Sequence, residues 1–600
     1  MLKLLAGNEA LALGAYHAGV MVASAYPGTP STEILESLAS HRDIRVDWSS
    51  DERVAMEVAL GASFAGVRAM ASMKHVGLNV ASDPFMSSSV TGVNAGLVVV
   101  VADDPGMHSS QSEQDTRNYA KFAKVPLLEP GDSQEAYDFM QYAFDISEKF
   151  DTPVIVRSTT RLSHAKSVVD VSKSRTQKNG IFGYDISKYV LLPVYARGRR
   201  PAMEQRIDRL RKYAETLPFN QITWGDTSIG IVSSGVVYQY AREVFPDASF
   251  LKLGMVYPLP QTLIKQFASR VEKLIVIEEL DPFIEDNIRL KGISVIGKAI
   301  FPSIGEFSPE VIEESAVRAN ILAKSASRKQ PAEGLPKRPP LLCPGCPHTG
   351  LFHVLSSVGK RSVPGKAAKP EDRDLAICGD IGCYTLGTYP PLSAMDFNVC
   401  MGASIGMALG MEKSGIDKKV VAVIGDSTFY HSGVSGLLTA VYFNSKITIV
   451  ILDNLTTAMT GHQDHPGTGV SAQGEPTATV ELEQLVRGCG VEDMVTVDAF
   501  DIKAIRNSVK SALDADNISV VIVRGNCAVR IKQRSGARAV DAERCNDCGM
   551  CLLLGCSAIQ KRDGGIVIDE ALCAGDICTV CQQVCSRGAI YIASDKGQNG

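Results

Sequence analysis

Eight of the fifteen cysteines in this chain lie between Cys545 and Cys585. The first four follow the spacing C-x2-C-x2-C-x4-C, and the last four follow C-x4-C-x2-C-x3-C. Three thiolates from a tight loop, joined by a fourth from the other half of a duplicated segment, are the usual ligands of a cuboidal iron–sulfur cluster. The end of the chain therefore predicts two [4Fe-4S] clusters, which accept and release electrons one at a time.

The crossover of the fourth ligand assigns these cysteines to two sets. The first set is Cys545, Cys548, Cys551 and Cys585, and the second is Cys556, Cys573, Cys578 and Cys581. The x4 gap before Cys556, and Ser557 where a proline usually follows, leave open whether each cluster has four ligands. Two zinc ribbons are the alternative, but zinc sites use pairs of cysteines and fit these triplets poorly.

Composition narrows the class of protein. The chain has 600 residues, 45% of them hydrophobic and 21% charged, with a net charge of −5. This length favours about four domains, and the negative charge argues against a general nucleic-acid surface. No apolar run reaches the roughly 18 residues of a membrane span, and the first residues lack a signal-peptide cleavage pattern. Fifteen cysteines without an export signal favour metal ligands over disulfides, and hence a reducing cytoplasm.

Hydrophobic patterning predicts alternating strands and helices through most of the chain. Short apolar stretches such as 96–101 and 153–156 are bounded by Asp, Pro or Gly, as buried strands are, and 52–66 has a helical pattern. Residues 323–341 are rich in Pro, Lys and Ala and predict a linker. We therefore expect a multidomain α/β fold with regions at 1–190, 223–322, 342–529 and the cysteine-rich 540–600.

The third α/β region carries a second set of residues suited to chemistry. A predicted strand, KVVAVI, ends in Gly425-Asp426-Ser427, and another, ITIVIL, ends in Asp453-Asn454. Asn454 follows Asp426 by 28 residues, about one strand–helix–strand crossover, so both side chains would emerge at the carboxyl edge of a parallel sheet. A carboxylate and an amide oxygen suit Mg²⁺ when phosphates complete its coordination. The alternative is that both sequences are simply turns at strand ends.

These residues also carry a resemblance. GDS…LDNLTTAMTGHQ resembles the thiamine-diphosphate motif of the 2-oxoacid:ferredoxin oxidoreductases, with Ser427 where Gly is usual. AYPGTPST and SSDERVAMEVALGASFAG resemble the pyrimidine-binding domain of the same family. The resemblance implies thiamine-diphosphate-binding domains at 1–190 (pyrimidine) and 342–529 (diphosphate). It also implies a transketolase-C-terminal-like domain at 223–322 and a ferredoxin-like domain at 540–600.

The resemblance assigns roles to residues around the cofactor. Asp426, Asn454 and the backbone carbonyl of Thr456 would hold Mg²⁺, with Gly425 and Ser427 beside the diphosphate. Glu52 would hydrogen-bond N1′ of the aminopyrimidine, which promotes deprotonation of the thiazolium carbon. Its alternative role is a first-turn carboxylate that complements the helix dipole, and Glu57 competes for the catalytic role.

Two further residues would contact the substrate. Thr29, in the YPGTP loop, matches a threonine near the substrate, and Arg117 is similar in position to an arginine that binds the substrate carboxylate. A planar guanidinium suits that role, but a surface helix arginine is the alternative. Lys74 and His75, at the end of a predicted strand, are weaker candidates for the same site.

A third cluster is implied near the start of the diphosphate domain. Cys343-Pro-Gly-Cys346 would by itself predict a redox pair or half of a zinc site. The resemblance implies instead a third [4Fe-4S] cluster held by Cys343, Cys346, Cys383 and Cys527. Cys378 is a possible substitute ligand, and we expect Cys400 and Cys489 to be ordinary buried thiols.

Taken together, the resemblance implies oxidative decarboxylation of an aryl 2-oxoacid such as indolepyruvate to an acyl-CoA and CO2. Electrons would pass through the clusters to ferredoxin, and a small beta subunit would complete an α2β2 heterotetramer. Phenylglyoxylate and branched-chain 2-oxoacids remain alternative substrates. The alternative functions are a non-redox thiamine-dependent decarboxylase and an electron-transfer or scaffolding subunit with an inactive thiamine site.

Overall fold

The computed structural model describes residues 1–172, 175, 180–323, 334–336, 339–360, 362–363, 366–367, 373–532 and 535–593. The chain forms two compact units, one of Met1–Pro331 with Ser471–Glu475 and the other of Ala332–Val470 with Pro476–Gly600. Most of the predicted linker at 323–341 lies outside the described residues. Among the helices described, none has the length and hydropathy needed to cross a bilayer.

The first unit is built on a seven-stranded sheet. In spatial order the strands are Met255–Tyr257, Leu127–Leu128, Val154–Thr159, Leu97–Asp103, Ala69–Lys74, Val22–Ala25 and Arg45–Trp48. All neighbours run parallel except Met255–Tyr257, which is antiparallel to Leu127–Leu128. The central strand Leu97–Asp103 is buried along its whole length, because helices cover both faces of a parallel sheet.

Helices connect and cover these strands. They are Gly7–His17, Thr32–Ala39, Glu52–Phe64, His75–Val80, Ser82–Thr91, Thr116–Ala123, Ser133–Phe150, Thr160–His164, Ile186–Tyr189 and Pro193–Ala214. The strands Leu2–Ala6 and Lys166–Asp170 form a separate antiparallel pair. The strands expected at 96–101 and 153–156 and the helix expected at 52–66 are present, with ends shifted by a few residues.

A second, four-stranded sheet completes the first unit. Its order is Lys273–Ile277, Asp226–Ser234, Ala248–Leu253 and Gln221–Thr223, with only the last strand antiparallel. Its helices are Gly235–Val244, Gln261–Ala268, Phe283–Arg289 and Pro309–Arg318. Leu251 of this sheet and Val99 of the first share one hydrophobic core. The regions at 1–190 and 223–322 are therefore packed together rather than independent.

The second unit contains a five-stranded parallel sheet. Its order is Leu375–Cys378, Lys419–Gly425, Thr448–Asp453, Ser519–Arg524 and Asp493–Asp498. The α-helices are His348–Val358, Ala403–Lys413, Asp426–Thr428, Val434–Tyr442, Leu482–Gly488 and Ile502–Asp514. A π-helical turn, Phe429–Gly433, joins two of them. Two short strands, Ser362–Val363 and Lys366–Ala367, pair with each other.

The cysteine-rich tail has little regular structure. Arg538–Val540 pairs with Ile590–Ile592 and Ile559–Arg562 with Gly565–Ile568, and the one α-helix described there is Val580–Val584. Leu554 and Ile590 of the tail belong to the same hydrophobic core as Leu351 and Val423 of the five-stranded sheet domain. The tail is therefore held against that domain by apolar packing.

Candidate active site

The predicted diphosphate-binding residues meet at the carboxyl edge of the five-stranded sheet. Gly425 pairs with Leu452 in the parallel register, which places Asp426 beside the end of the neighbouring strand. Asp426 Oδ2 accepts the N–H groups of Asn454 and Leu455 at 3.1 and 2.9 Å, and Oδ1 accepts that of Ser427 at 2.7 Å. The carboxylate thus fixes the turn that carries Asn454.

The surroundings keep the Asp426 carboxyl ionised. Burial acts to raise its pKa, but the His465 side chain and the Ser427 N–H outweigh it, and the pKa lies below the ordinary value. His465 Nδ1 accepts the N–H of Gly467 at 3.1 Å, so Nε2 carries the proton, 3.3 Å from Asp426 Oδ2. Burial, followed by the charge of Asp426, raises the pKa of Asp453 to about 6, although Arg524 acts to lower it.

Asn454 and Thr456 supply neutral oxygens at the same turn. Asn454 Oδ1 accepts the Thr456 N–H at 3.2 Å, and Leu455 between them has a left-handed φ of 61°. No group of three or more His, Cys, Asp or Glu side chains in the described residues is arranged to hold a metal ion. One carboxylate, one amide and backbone carbonyls are the sparse oxygen set that suits Mg²⁺ when phosphate oxygens complete its shell.

Gly425 is required by a close neighbour. A Cβ on Gly425 would lie 2.4 Å from Cε1 of the Tyr384 ring. That ring is fixed, because the Tyr384 hydroxyl donates to the Ile381 carbonyl at 2.8 Å and lies 2.8 Å from Thr428 Oγ1. Ser427, where the family motif has Gly, lies in a helical turn without a positive φ and its hydroxyl contacts Thr457 Oγ1 at 2.9 Å. The serine therefore fits without strain.

Glu52, the candidate partner of the aminopyrimidine, is in the first unit. It is the first residue of its helix and is 6% exposed, while the N-cap residue Asp51 accepts the Val54 N–H at 2.7 Å. A Cβ on Gly77 would lie 2.6 Å from Glu52 Oε1, so only glycine leaves room for this carboxylate. The competing Glu57 is exposed and pairs with Arg53 at 2.9 Å. Burial thus favours Glu52 over Glu57.

Thr29 lies in the loop after the strand Val22–Ala25, at the same sheet edge as Glu52. The Ser109 hydroxyl donates to the Thr29 carbonyl at 3.1 Å, and Lys74 Nζ donates to the Ser109 carbonyl at 3.3 Å. His75 is buried and its Nε2 lies 3.0 Å from the Ser112 carbonyl. The structure thus brings Thr29 and Lys74 together through the loop that carries Ser109.

Arg117 does not have the setting expected of a substrate ligand. It is 1% exposed, and its guanidinium pairs with Asp115 at 2.5 Å and with Glu278 at 2.6 Å. Its Nη2 also donates to the backbone carbonyls of Glu279 and Asp281. These contacts join the two sheets of the first unit. Because they occupy the guanidinium, we correct the expectation that Arg117 binds the substrate and assign it a structural role.

The tail cysteines surround two cavities in the sets expected from the crossover. One cavity is lined by Cys545, Cys548, Cys551 and Cys585. The other is lined by Cys556, Cys573, Cys578 and Cys581, together with Gly345, Cys346 and Thr349. Each cavity is thus lined by four thiols, the residue type expected of iron–sulfur ligands, although no three of these side chains are arranged in the described structure to hold a metal ion.

Cys343, Cys346, Cys383 and Cys527 are close enough to influence one another electrostatically, although no three of them, all within the described part of the chain, are arranged to hold a metal ion. Burial, then the neighbouring Cys527 and Cys343, raise the pKa of the Cys383 thiol to about 11. The other three cysteines of this set likewise contribute, after burial, to a raised pKa of Cys346. Cys378 instead belongs to the hydrophobic core on the other face of the sheet. Cys489 is buried as expected, whereas Cys400 is exposed, which corrects that expectation.

Comparisons with known proteins agree with this arrangement. Residues 13–201 match the family model "Pyruvate flavodoxin/ferredoxin oxidoreductase, thiamine diP-bdg", and residues 380–523 match "Thiamine pyrophosphate enzyme, C-terminal TPP binding domain". The chain is 40% identical to the indolepyruvate oxidoreductase subunit IorA of Archaeoglobus fulgidus, over 98% of this chain and 97% of that protein. The chain belongs to the 2-oxoacid:ferredoxin oxidoreductase family. It is a thiamine-diphosphate-dependent enzyme of ferredoxin-linked 2-oxoacid oxidation.

Similar relatives include the proteins of the same name from Methanothermobacter marburgensis and Pyrococcus horikoshii. They are 40% and 39% identical, each over 98% of this chain and 96% of the relative. The expected family and the α/β thiamine-diphosphate-binding fold with parallel sheets are thereby confirmed.

Sequence reasoning missed several residues of this oxidoreductase's site. His465 and Tyr384, beside Asp426 and Gly425, were not identified, and neither was Gly77 beside Glu52. His465 lies eleven residues after Asn454 in a polar GHQDHPGTG segment. The two histidines of this segment were the signal that could have identified it as part of the site. Tyr384 and Gly77 have no local signal, because their role is a packing contact with residues distant in sequence.

Proposed function

We propose that this oxidoreductase converts an aryl 2-oxoacid, indolepyruvate, to the corresponding acyl-CoA and CO2. The carbon–carbon bond to the carboxylate breaks, a thioester bond to coenzyme A forms, and two electrons pass singly to two oxidised ferredoxins. A small beta subunit, in an α2β2 heterotetramer, completes the enzyme. The aryl substrate and the second subunit are supported by relatives at about 40% identity that are named as subunits of indolepyruvate oxidoreductases.

Thiamine diphosphate, when bound, supplies the nucleophilic carbon and electron sink that decarboxylation of a 2-oxoacid requires. In the second unit, Asp426, Asn454 and the Thr456 carbonyl would hold the Mg²⁺ that anchors the diphosphate. In the first unit, the buried Glu52 carboxylate would stabilise the imino tautomer of the pyrimidine ring by accepting a hydrogen bond from its N1′–H. A buried carboxylate suits this task, because water does not compete for its lone pairs.

The cysteine sets support a path for single electrons through the second unit. Cys346 belongs to the set with Cys343 and also lines the cavity of Cys556, Cys573, Cys578 and Cys581. A Cβ on Gly345 would lie 2.3 Å from the Cβ of Ala574, so the backbones of the two loops approach closely. We infer three [4Fe-4S] clusters, with the Cys343 set first, the Cys556 set second, and the Cys545 set last, where ferredoxin accepts electrons.

This shared cavity is the observation that carries the redox assignment. A non-redox thiamine decarboxylase has no use for three sets of four cysteines, two of which share Cys346 at one cavity. Oxidative decarboxylation releases two electrons, whereas ferredoxin accepts one at a time. A series of clusters that leads from the thiamine site to ferredoxin would carry these electrons singly.

The test is an anaerobic screen of the purified complex with a panel of 2-oxoacids, coenzyme A and ferredoxin. Indolepyruvate should be preferred over phenylglyoxylate and branched-chain 2-oxoacids, and iron should be about twelve per chain, four for each cluster. Cys527→Ser should lower iron to about eight and stop reduction of ferredoxin, while Cys400→Ser, at an exposed thiol, should do neither. Release of an aldehyde without reduction of ferredoxin would overturn the proposal.

A further inference from the structure

Lys74 is a cation without a charged partner beside the candidate site of the first unit. It is the last residue of the strand Ala69–Lys74 and is partly buried. Its ammonium donates to the Ser109 carbonyl at 3.3 Å, and none of the ion pairs in the described part of the chain includes it. Burial lowers the pKa of Lys74, although the charges of Asp104 and then Glu52 act to raise it.

Contacts with Gly28 and Ser109 fix the position of the Lys74 side chain. A Cβ on Gly28 would lie 3.2 Å from Lys74 Cδ, so the lysine stem passes directly over the loop before Thr29. Ser109 holds this arrangement, because its hydroxyl donates to the Thr29 carbonyl and its own carbonyl accepts from Lys74. The ammonium is thereby directed to the sheet edge that also carries Glu52.

The other cations near this edge are already engaged. Arg117 pairs with Asp115 and Glu278, Arg157 pairs with Asp103 and Glu129, and Arg161 pairs with Glu306. The first two are almost fully buried, and neither can turn towards a ligand without leaving a carboxylate unpaired. Lys74 is left as the cation whose charge a bound anion would balance.

We propose that Lys74 binds the carboxylate of the 2-oxoacid, in place of an arginine. This inference rests on the proposed function, because it assumes that the substrate lies beside the residues that bind thiamine diphosphate. A partly desolvated ammonium gains most from an anionic partner, since burial disfavours its charge until a counter-charge arrives. Lys74 therefore selects substrates that carry a carboxylate next to the ketone.

The test compares an acid with its uncharged analogue. Binding of 3-(indol-3-yl)propanoate and of its primary amide to the holoenzyme is measured by calorimetry for the wild type, Lys74→Met, Lys74→Arg and the control Lys265→Met. Lys265 is exposed on the helix Gln261–Ala268. Lys74→Met keeps the apolar stem and should weaken binding of the acid about ten- to a hundredfold, the usual worth of a hydrogen bond to a charged group.

Binding of the amide, and the affinity for thiamine diphosphate, should be unchanged in Lys74→Met. Lys74→Arg should restore most of the preference for the acid, and Lys265→Met should behave as the wild type. Gly28→Ala, which pushes the lysine stem aside without changing any charge, should also weaken binding of the acid alone. Equal loss of acid and amide binding in Lys74→Met, or no loss of either, would overturn the inference.

Turnover of indolepyruvate by the wild type separates this inference from the proposed function. If the wild type does not turn over indolepyruvate, the proposed substrate is wrong, whereas loss of the acid preference in Lys74→Met would still support Lys74 as the carboxylate ligand. If the wild type turns over indolepyruvate and Lys74→Met has the same KM, the proposed function stands and the role of Lys74 is refuted.

Discussion

Asp426→Asn tests the diphosphate half of the site, because it removes one charge and keeps the shape of the side chain. Asp426 accepts three backbone N–H groups, one on Oδ1 and two on Oδ2. An asparagine has a single acceptor oxygen, so its amide group must face at least the Ser427 N–H. That buried donor then loses its partner, at a cost of about 1–3 kcal/mol.

The two bonds that remain change from charge-assisted to neutral, which weakens each by about 1 kcal/mol. We therefore expect the free energy of unfolding to fall by about 3–5 kcal/mol in Asp426→Asn. The affinity for thiamine diphosphate in the presence of Mg²⁺ should fall about tenfold to a hundredfold, because a charged metal ligand is replaced by a neutral one.

The matched control is Asp501→Asn, in the same unit. Asp501 is an exposed N-cap residue that accepts the Ala504 N–H at 2.9 Å, and asparagine caps helices about as well as aspartate. Thermal unfolding and calorimetric titration of thiamine diphosphate with Mg²⁺ are measured for both variants. An unchanged cofactor affinity in Asp426→Asn, or an equal loss in Asp501→Asn, would refute the reasoning.

Two further predictions concern packing and pH. Gly425→Ala places a Cβ against the fixed Tyr384 ring and should destabilise the protein by about 1–3 kcal/mol in thermal or denaturant unfolding. The control is Gly410→Ala, in a helix, where no atom lies within 4 Å of the added Cβ, and it should be neutral or slightly stabilising. Equal destabilisation in the two variants would contradict the contact between residue 425 and Tyr384. Burial raises the pKa of Glu279 from 4.5 to about 7, so its contribution to stability is lost as the pH rises through that range. The free energy of unfolding of Glu279→Gln, measured by denaturant titration, should therefore equal that of the wild type at pH 4.5 and exceed it by about 3 kcal/mol at pH 8. If the stability of the variant varied with pH as that of the wild type does, burial of Glu279 would not be the cause.

Local sequence patterns predicted the strands that position the site. The apolar runs before Gly425 and Asp453 end where the structure ends them, since a fully buried parallel strand reads as a continuous hydrophobic run. The crossover spacing of the tail cysteines also predicted which thiols share a cavity, because ligand spacing in such loops is fixed by the size of the cluster.

Contacts between residues far apart in the chain could not be predicted from the sequence. The helical setting of Arg117 does not reveal that Glu278, 161 residues away, meets its guanidinium. The same limit applies to Gly77, whose importance lies in the space that the Glu52 side chain needs. Lys74, at the end of a predicted strand, was only a weak candidate in the sequence, because its significance comes from the absence of an ion-pair partner in the described structure and from its contact with the Thr29 loop.

The central claim is that electrons from the 2-oxoacid pass to thiolate-bound iron, and the most direct test is to measure reduction of the clusters in the absence of ferredoxin. The anaerobically purified complex, loaded with thiamine diphosphate and Mg²⁺, is mixed with indolepyruvate and coenzyme A without ferredoxin, and electron paramagnetic resonance is recorded. We predict signals of reduced [4Fe-4S] clusters that appear with CO2 release and are absent in Asp426→Asn. Protein that contains zinc in place of iron, or that releases CO2 while its clusters stay oxidised, would contradict the account.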